Sequence, residues 1–475
     1  MLRIAFFSSI AVVLATALGA QTPEERVARE VAAQMEAEGL EPPPVPREAE
    51  PRLRAPRGIA IPVTVVVQDG DVPPGEADPV SSVNSPFTNG VGQVGFTGGL
   101  TTISGTDNFV WRDGGITWKN SDAVGFVLTG AEGTMGVSDA GDFVYSPSTD
   151  GEDSVWTASG LLAVAETQAP GFPPGTISTF HSRPSMAASG RAFWVSGFNE
   201  SGGTSTEGRM LYTSADGTPG QIQVVLRSDD VIDGFVIDRP SGVDFDYDAS
   251  EDGSRLIQVL LMDTGSTADD DFVFVDGALV ARESAPSGGG DNWDNFDAVS
   301  INNRGEYVFS GDTDGATTAD EFITYRNVIR LREGGSVGGV VLTSSASVNA
   351  LAINEARALA HLWTISGGDE LLFLSCNAAL PSDGILLLTT DDLVDVDGDG
   401  LEDATVTDFN ASGVIGPGLD LGDSGEIFVE VDLDYGAGEL EAVISLELPV
   451  CPSLEIFLDG FESGDTSAWD TTVGG

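Results

Sequence analysis

The chain has 475 residues, 41% of them hydrophobic, and 75 acidic against 21 basic residues give it a net charge of −54. That apolar content is enough for a substantial core, while so negative a surface repels phosphate backbones, which excludes nucleic acid and favours cations, basic proteins or a salty surrounding as its company. With one lysine, Lys119, and two histidines, His181 and His361, the usual materials of acid–base and nucleophilic centres are scarce.

Residues 1–20 read as a signal peptide: Met1-Leu2-Arg3 is a positive start, Ile4 to Leu18 an apolar run, and Ala17 to Ala20 small residues suited to cleavage before Gln21. The mature protein is therefore expected to be secreted and extracellular, at the cell surface or periplasmic. No later stretch approaches the roughly 18 apolar residues of a spanning helix, so no transmembrane segment is expected in the mature chain. Residues 21–58 read as a helix and a Pro-rich linker. Thr22 caps, Pro23 suits the first turn, Glu25 completes a capping box, and Pro42-Pro43-Pro44 opens an extended segment after the helix ends near Gly39.

From Ile59 the text is β throughout, and a loose motif N-x-x-G-x-x-x-F recurs. Its clearest copies are Asn89/Gly92/Phe96 and Asn302/Gly305/Phe309. Weaker copies stand at Ser138/Gly141/Tyr145, Ala187/Gly190/Trp194, Ser250/Gly253/Ile257, Asn354/Arg357/His361 and Gly422/Gly425/Val429. Successive copies lie 49, 49, 63, 52, 52 and 68 residues apart, the period of supersecondary units that share one continuous core. Within the units, hairpins such as Phe109–Trp118, Val155–Val164 and Phe272–Ala281 turn through Asp-Gly, Gly-Gly or Ser-Gly, which supply the positive φ a tight hairpin needs. Pro/Gly loops follow, as at Asp71–Gly75, Gln168–Gly171 and Glu283–Gly288.

Three strands per unit, with room for a fourth, predict an all-β, seven-bladed β-propeller over residues 59–449. The seventh unit stops after strands at Glu426–Leu433 and Glu441–Leu448, while Ile61–Gln68 is a strand with no unit before it. Pairing the orphan with the vacancy closes the ring and removes its open edges. The short N-terminal helix and a C-terminal tail, residues 450–475, fall outside this core.

Asp395-Val-Asp397-Gly-Asp399-Gly400-Leu401-Glu402-Asp403 is the strongest chemical motif. Carboxylates of Asp395, Asp397, Asp399 and Asp403, with the carbonyl of Leu401 and a sharp turn at Gly400, are placed to surround calcium. Val406 stands where an EF-hand has its bidentate glutamate, so the loop resembles the Asp-rich calcium loops of thrombospondin type 3 and dockerin-like repeats; an acidic solvated turn is the other reading. His181 is expected in a loop before Arg183-Pro184 and His361 in a strand, neither placed as a catalytic base, and no nucleophile elbow is present. Carboxylate pairs suited to glycoside hydrolysis stay open as an alternative. In an oxidising compartment Cys376 and Cys451, with no third cysteine competing, are expected to be bonded.

The repeat copies, the hairpins and the A-P-G loops together resemble the bacterial choice-of-anchor tandem repeat proteins, over roughly Ile59 to Pro449. That resemblance implies an extracytoplasmic scaffold and brings no catalytic residues with it; Arg357 and Gly422 depart from the motif. Ile456–Trp469 is similar to the D-G-F-E-S-G-D-x-S-x-W tails of otherwise unrelated secreted bacterial proteins, which implies sorting or attachment through a recognising partner. The functional expectation is a secreted or surface-exposed acidic repeat scaffold, stabilised by calcium, that binds an extracellular protein or glycan. The alternative is a glycan-directed extracellular hydrolase working through carboxylates at the propeller channel.

Overall fold

The computed structural model describes residues 62–451 apart from residues 132, 240–241, 398, 411–417, 424 and 448–450, and apart from the side chains of residues 244–245. The expected signal peptide, the expected helix and linker to residue 58, and the tail beyond Cys451 lie outside the described residues. What is described is a seven-bladed β-propeller. Its only helical turns, among the described residues, are short 3-10 segments at Asn120–Asp122, Pro219–Gln221 and Pro381–Asp383. Among the described residues no helix is long and apolar enough to cross a membrane.

Each blade is an antiparallel meander. Blade 3 runs Ile177–Met186, Ala192–Asn199, Gly208–Ser214 and Ile222–Arg227, and blade 4 runs Val243–Ala249, Leu256–Leu261, Asp271–Val275 and Ala278–Arg282. Blades 2, 5 and 6 begin with innermost strands at Met135–Val137, Val299–Ile301 and Ser347–Ile353. The strand that the repeat text left room for is this innermost one, lying just before each motif. In blades 1 and 7 it is broken in two: Val80–Val83 with Phe87–Thr88, and Ala404–Phe409 with Leu419–Leu421, both halves pairing with one long neighbour. The hairpin turns have the expected chemistry. Asp113 and Gly114 sit at φ 43° and 90°, and Asp276 and Gly277 at 50° and 77°, the left-handed pair of a type I′ turn.

The ring is closed across the chain ends. Val63–Gln68 pairs antiparallel with Glu439–Glu447, Val63 opposite Leu446 and Gln68 opposite Ala442, so the orphan strand completes the seventh blade. Val67 is 2% exposed and belongs to a cluster shared with Val80, Phe96 and Phe428, which welds the first blade to the last. Cys376, next after the blade 6 strand Glu370–Ser375, is bonded to Cys451 with a Cα–Cα distance of 5.3 Å. Cys451 packs against the cluster that spans blades 6 and 7, so the bridge staples these neighbours beside the point of closure.

Candidate functional site

The motif builds the turn between the innermost strand and its neighbour in every blade. In all seven, the fourth residue donates its amide to the carbonyl of the first: Gly92 to Asn89, Gly141 to Ser138, Gly190 to Ala187, Gly253 to Ser250, Gly305 to Asn302, Arg357 to Asn354 and Gly425 to Gly422. The fourth residue is left-handed each time, between φ 68° and 88°, which glycine accepts without strain and Arg357 does not. Where the first residue is Asn, its Oδ1 takes amides within the turn: Val91 and Gln93 for Asn89, Arg304 and Glu306 for Asn302, Ala358 for Asn354. The eighth residue, aromatic or apolar in six copies and His361 in the other, is 0% exposed in every blade.

These turns also bond to one another around the ring. The Asn amide reaches the next blade, Asn89 Nδ2 to the Ser138 carbonyl, Asn302 to Asn354 and Asn354 to Gly422. Elsewhere the second motif residue takes over: Asp139 N–H donates to the Ala188 carbonyl, Ala188 N–H to Glu251, and Asn303 Oδ1 accepts from Asp252 N–H. The last seam is made by Asp420, whose Oδ2 accepts both the amide and the hydroxyl of Thr88, at 2.6 and 2.9 Å. Every seam is thus latched on one face.

The second motif position rims the mouth of the central channel on that face. It is occupied by Gly90, Asp139, Ala188, Glu251, Asn303, Glu355 and Asp423. A carboxylate here was not singled out from the sequence, although the shared position in the repeat is a signal that would have found it. Glu251 leans across the opening: a Cβ added at Gly90 would lie 2.5 Å from Glu251 Oε1 and 3.3 Å from Asp139 Oδ1. Burial, then a hydrogen bond with Asp423 and the charges of Asp423, Asp139 and Glu355, push the Glu251 carboxyl up to about 8. The negative charges gathered around it disfavour a charged Glu251, which therefore holds its proton longer than an ordinary glutamate.

Beneath the rim the channel holds a cavity of about 90 Å³ with apolar walls at Phe87, Met186, Ile301, Ile353 and Leu421. Asp248 and Asp420 reach the same space. Asp248 Oδ2 accepts the Ile301 amide of the next blade at 2.9 Å, and burial lifts its carboxyl to about 7, with Asp420 adding repulsion. Deeper still, a bulge in the blade 3 innermost strand between Ser182 and Ser185 carries Arg183, at φ 50°, to a second space of about 130 Å³, where it pairs with Asp246 at 3.4 Å.

The expected calcium loop lies in the connection between blades 6 and 7, closed at its base by pairing of Leu393–Val394 with Ala404–Phe409. Oxygens of Asp395, Asp397, Asp399 and Asp403 all fall within 4.8 Å of one another. Gly400, at φ 88°, donates its amide to Asp395, and Leu401 donates its amide to Asp399 Oδ1. Four convergent carboxylate oxygens on an exposed loop are a donor set that suits a hard cation.

The two histidines are far from solvent. His181 belongs to the strand Ile177–Met186 and not to a loop, because the strand continues through it to the bulge; it is 3% exposed and burial pushes it down to about 4. His361 is buried in blade 6, where Trp363 Nε1 donates to its Nδ1 at 2.9 Å, and burial lowers it to about 3. Both are neutral at ordinary pH.

No family model matches the chain, and no curated protein matches it. Among solved structures it is similar to prolyl oligopeptidase B from Galerina marginata, at 11% identity and a TM-score of 0.42 over 78% of this chain and 52% of that one. The chain thus spans about half the length of that peptidase. It is also similar to the Dos1 propeller, at 10% identity and TM-score 0.36, and to polysaccharide lyase Uly1, at 9% and 0.30, each over 78% of both chains. At these identities and scores none of them bears on ligand or activity.

Proposed function

We propose that the protein is a secreted or surface-exposed acidic scaffold whose propeller presents a binding site at the latched mouth of its channel and is stabilised by calcium at Asp395, Asp397, Asp399 and Asp403 with the Leu401 carbonyl. The observation that carries this reading is the ring itself. Seven turns of one design hold a single face rigid and place one position of each repeat around a common opening, the preorganisation that recognition needs. The histidines, buried and neutral, do not serve that opening. A leader and a tail of the travelling kind support an extracytoplasmic role.

Calorimetry tests the calcium part. One site is expected in the full chain, its heat lost in Asp397→Ala and in Asp399→Ala, and identical heat in the variants removes the claim. One observation favours the hydrolase as a second reading: Glu251 and Asp423 are a carboxyl pair in which one member keeps its proton near neutrality, as an acid catalyst must. A screen of glycan substrates separates the two readings. Turnover abolished by Glu251→Gln in a folded protein establishes the hydrolase, and no turnover leaves the binding scaffold.

A further inference from the structure

We propose that the channel mouth seats a linear alkylammonium group, the side chain of a lysine or the end of a polyamine, with its cation on Asp248 and Asp420 and its methylenes against the channel wall. This deepens the binding role proposed above and rests on it. The cavity has three layers of different chemistry. At the rim stand Glu251, Glu355 and Asp423; the wall carries Phe87, Met186, Ile301, Ile353 and Leu421 interspersed with polar side chains such as Ser300 and Thr88; at the floor are Asp248 and Asp420. A ligand that is cationic at its tip and apolar along its stem matches that order, because its desolvated charge meets carboxylates and its methylenes displace water from side chains that are themselves buried.

A metal ion matches it less well. Calcium takes six to eight oxygens, whereas the side chains of Phe87, Met186, Ile301, Ile353 and Leu421 offer none and the floor oxygens are partly engaged by the amides of Ile301, Thr88 and Leu421. An ammonium needs only three acceptors and is a compact point charge on a slim stem. A space of about 90 Å³ admits several waters or an unbranched chain of a few methylenes, and branching would meet the wall. Glu251 leans over the entrance against Gly90, so any side chain at that position meets Glu251 and Asp139 and crowds the way in. Burial raises the floor acids above their ordinary range, a penalty that an arriving cation relieves.

The test is a calorimetric titration of the full chain at pH 8 in 150 mM salt with cadaverine, with spermidine, with a capped Gly-Lys-Gly peptide and with 1,5-pentanediol. Cadaverine or the lysyl peptide is expected to bind at one site and the diol not at all. Tighter binding of the peptide identifies a protein lysine as the source, and tighter binding of the free amines identifies a polyamine. Gly90→Leu keeps every carboxylate and blocks the entrance, and Asp248→Asn keeps the shape and removes floor charge; each is expected to weaken binding at least tenfold. Amine binding that is absent from the wild type, or unchanged in both variants and therefore due to general surface charge, overturns the proposal. Calcium heat measured on the same samples keeps the two ideas apart: heat that persists while the amines fail leaves the scaffold standing, and loss of both removes both.

Discussion

Arg357 shows how a repeat tolerates an exception. It occupies the glycine position of its turn at φ 68°, a conformation that costs a residue with a Cβ about 1–2 kcal/mol. Its guanidinium, however, reaches the Glu306 carboxylate of blade 5 at 2.7 Å, a side chain with no exposure that also takes bonds from Tyr325, Arg326 and Asn302. Breaking a buried pair costs about 3–5 kcal/mol, and the partners that remain recover part of it. Arg357→Gly is therefore expected to destabilise by about 1–2 kcal/mol in urea unfolding, despite relieving the backbone; a stabilised variant would show that the turn and not the clamp dominates. Glu251 supplies the second residue-scale prediction. Its folded carboxyl titrates near 8 against an ordinary 4.5, facing Asp423, Asp139 and Glu355, with Arg304 beyond Glu355. The folded state therefore holds a proton that the unfolded chain releases, so this group's contribution worsens as pH rises from about 4 through about 8. Glu251→Gln removes that penalty. Discounted for solvent at the mouth, it is expected to gain about 1 kcal/mol over wild type at pH 8.5 and nothing at pH 4 in paired denaturation curves.

Among the elements, Val63–Gln68 has the largest leverage for its length. It is the outermost strand of the last blade, and its loss leaves Glu439–Glu447 as a bare edge beside an opened apolar seam. Val63 and Val67 are both at most 9% exposed, and burying two such side chains contributes about 3–6 kcal/mol. A chain that begins after Gln68 is expected to melt lower by a margin of that size and to associate on size-exclusion chromatography. An unchanged melt with a monomeric profile would mean that the ring closes without this strand. The turn ring works alongside it: where Asn occupies the first motif position one amide serves both its own turn and the next blade, and where Ser stands there, at Ser138 and Ser250, the hydroxyl serves only the turn. The backbone of the second residue, Asp139, then carries the seam after Ser138, and that of the third, Asp252, the seam after Ser250.

For the whole molecule, a covalent link between blades 6 and 7 stands beside the hydrogen-bonded closure of the ring. The Cys376–Cys451 bridge joins residues 75 apart, and a loop of that length restrains the unfolded chain by about 4 kcal/mol in the entropic account. Reduction, or Cys376→Ser, is expected to lower stability by about 2–4 kcal/mol in denaturant titrations run with and without reductant. Equal midpoints in the two conditions would show that packing alone holds blades 6 and 7 together. A net charge of −54 opposes the compact state throughout.

Blade number, hairpin turns and the partner of the orphan strand could all be read from the residues, because each rests on local chemistry: left-handed glycines, I′ turns and a periodic buried residue such as Phe96, Phe309 or His361. The clustering of Asp395, Asp397, Asp399 and Asp403 could be read for the same reason, the spacing being set within nine residues. What the order of residues did not disclose is the channel mouth. Asp139, Glu251, Glu355 and Asp423 are spread over nearly 300 residues, and only their shared second position in the repeat sets them apart in a chain with 75 acidic residues. Only the closing of the ring brings that one repeat position to a common axis, where burial and mutual repulsion give the carboxyls a chemistry that their local sequence does not contain.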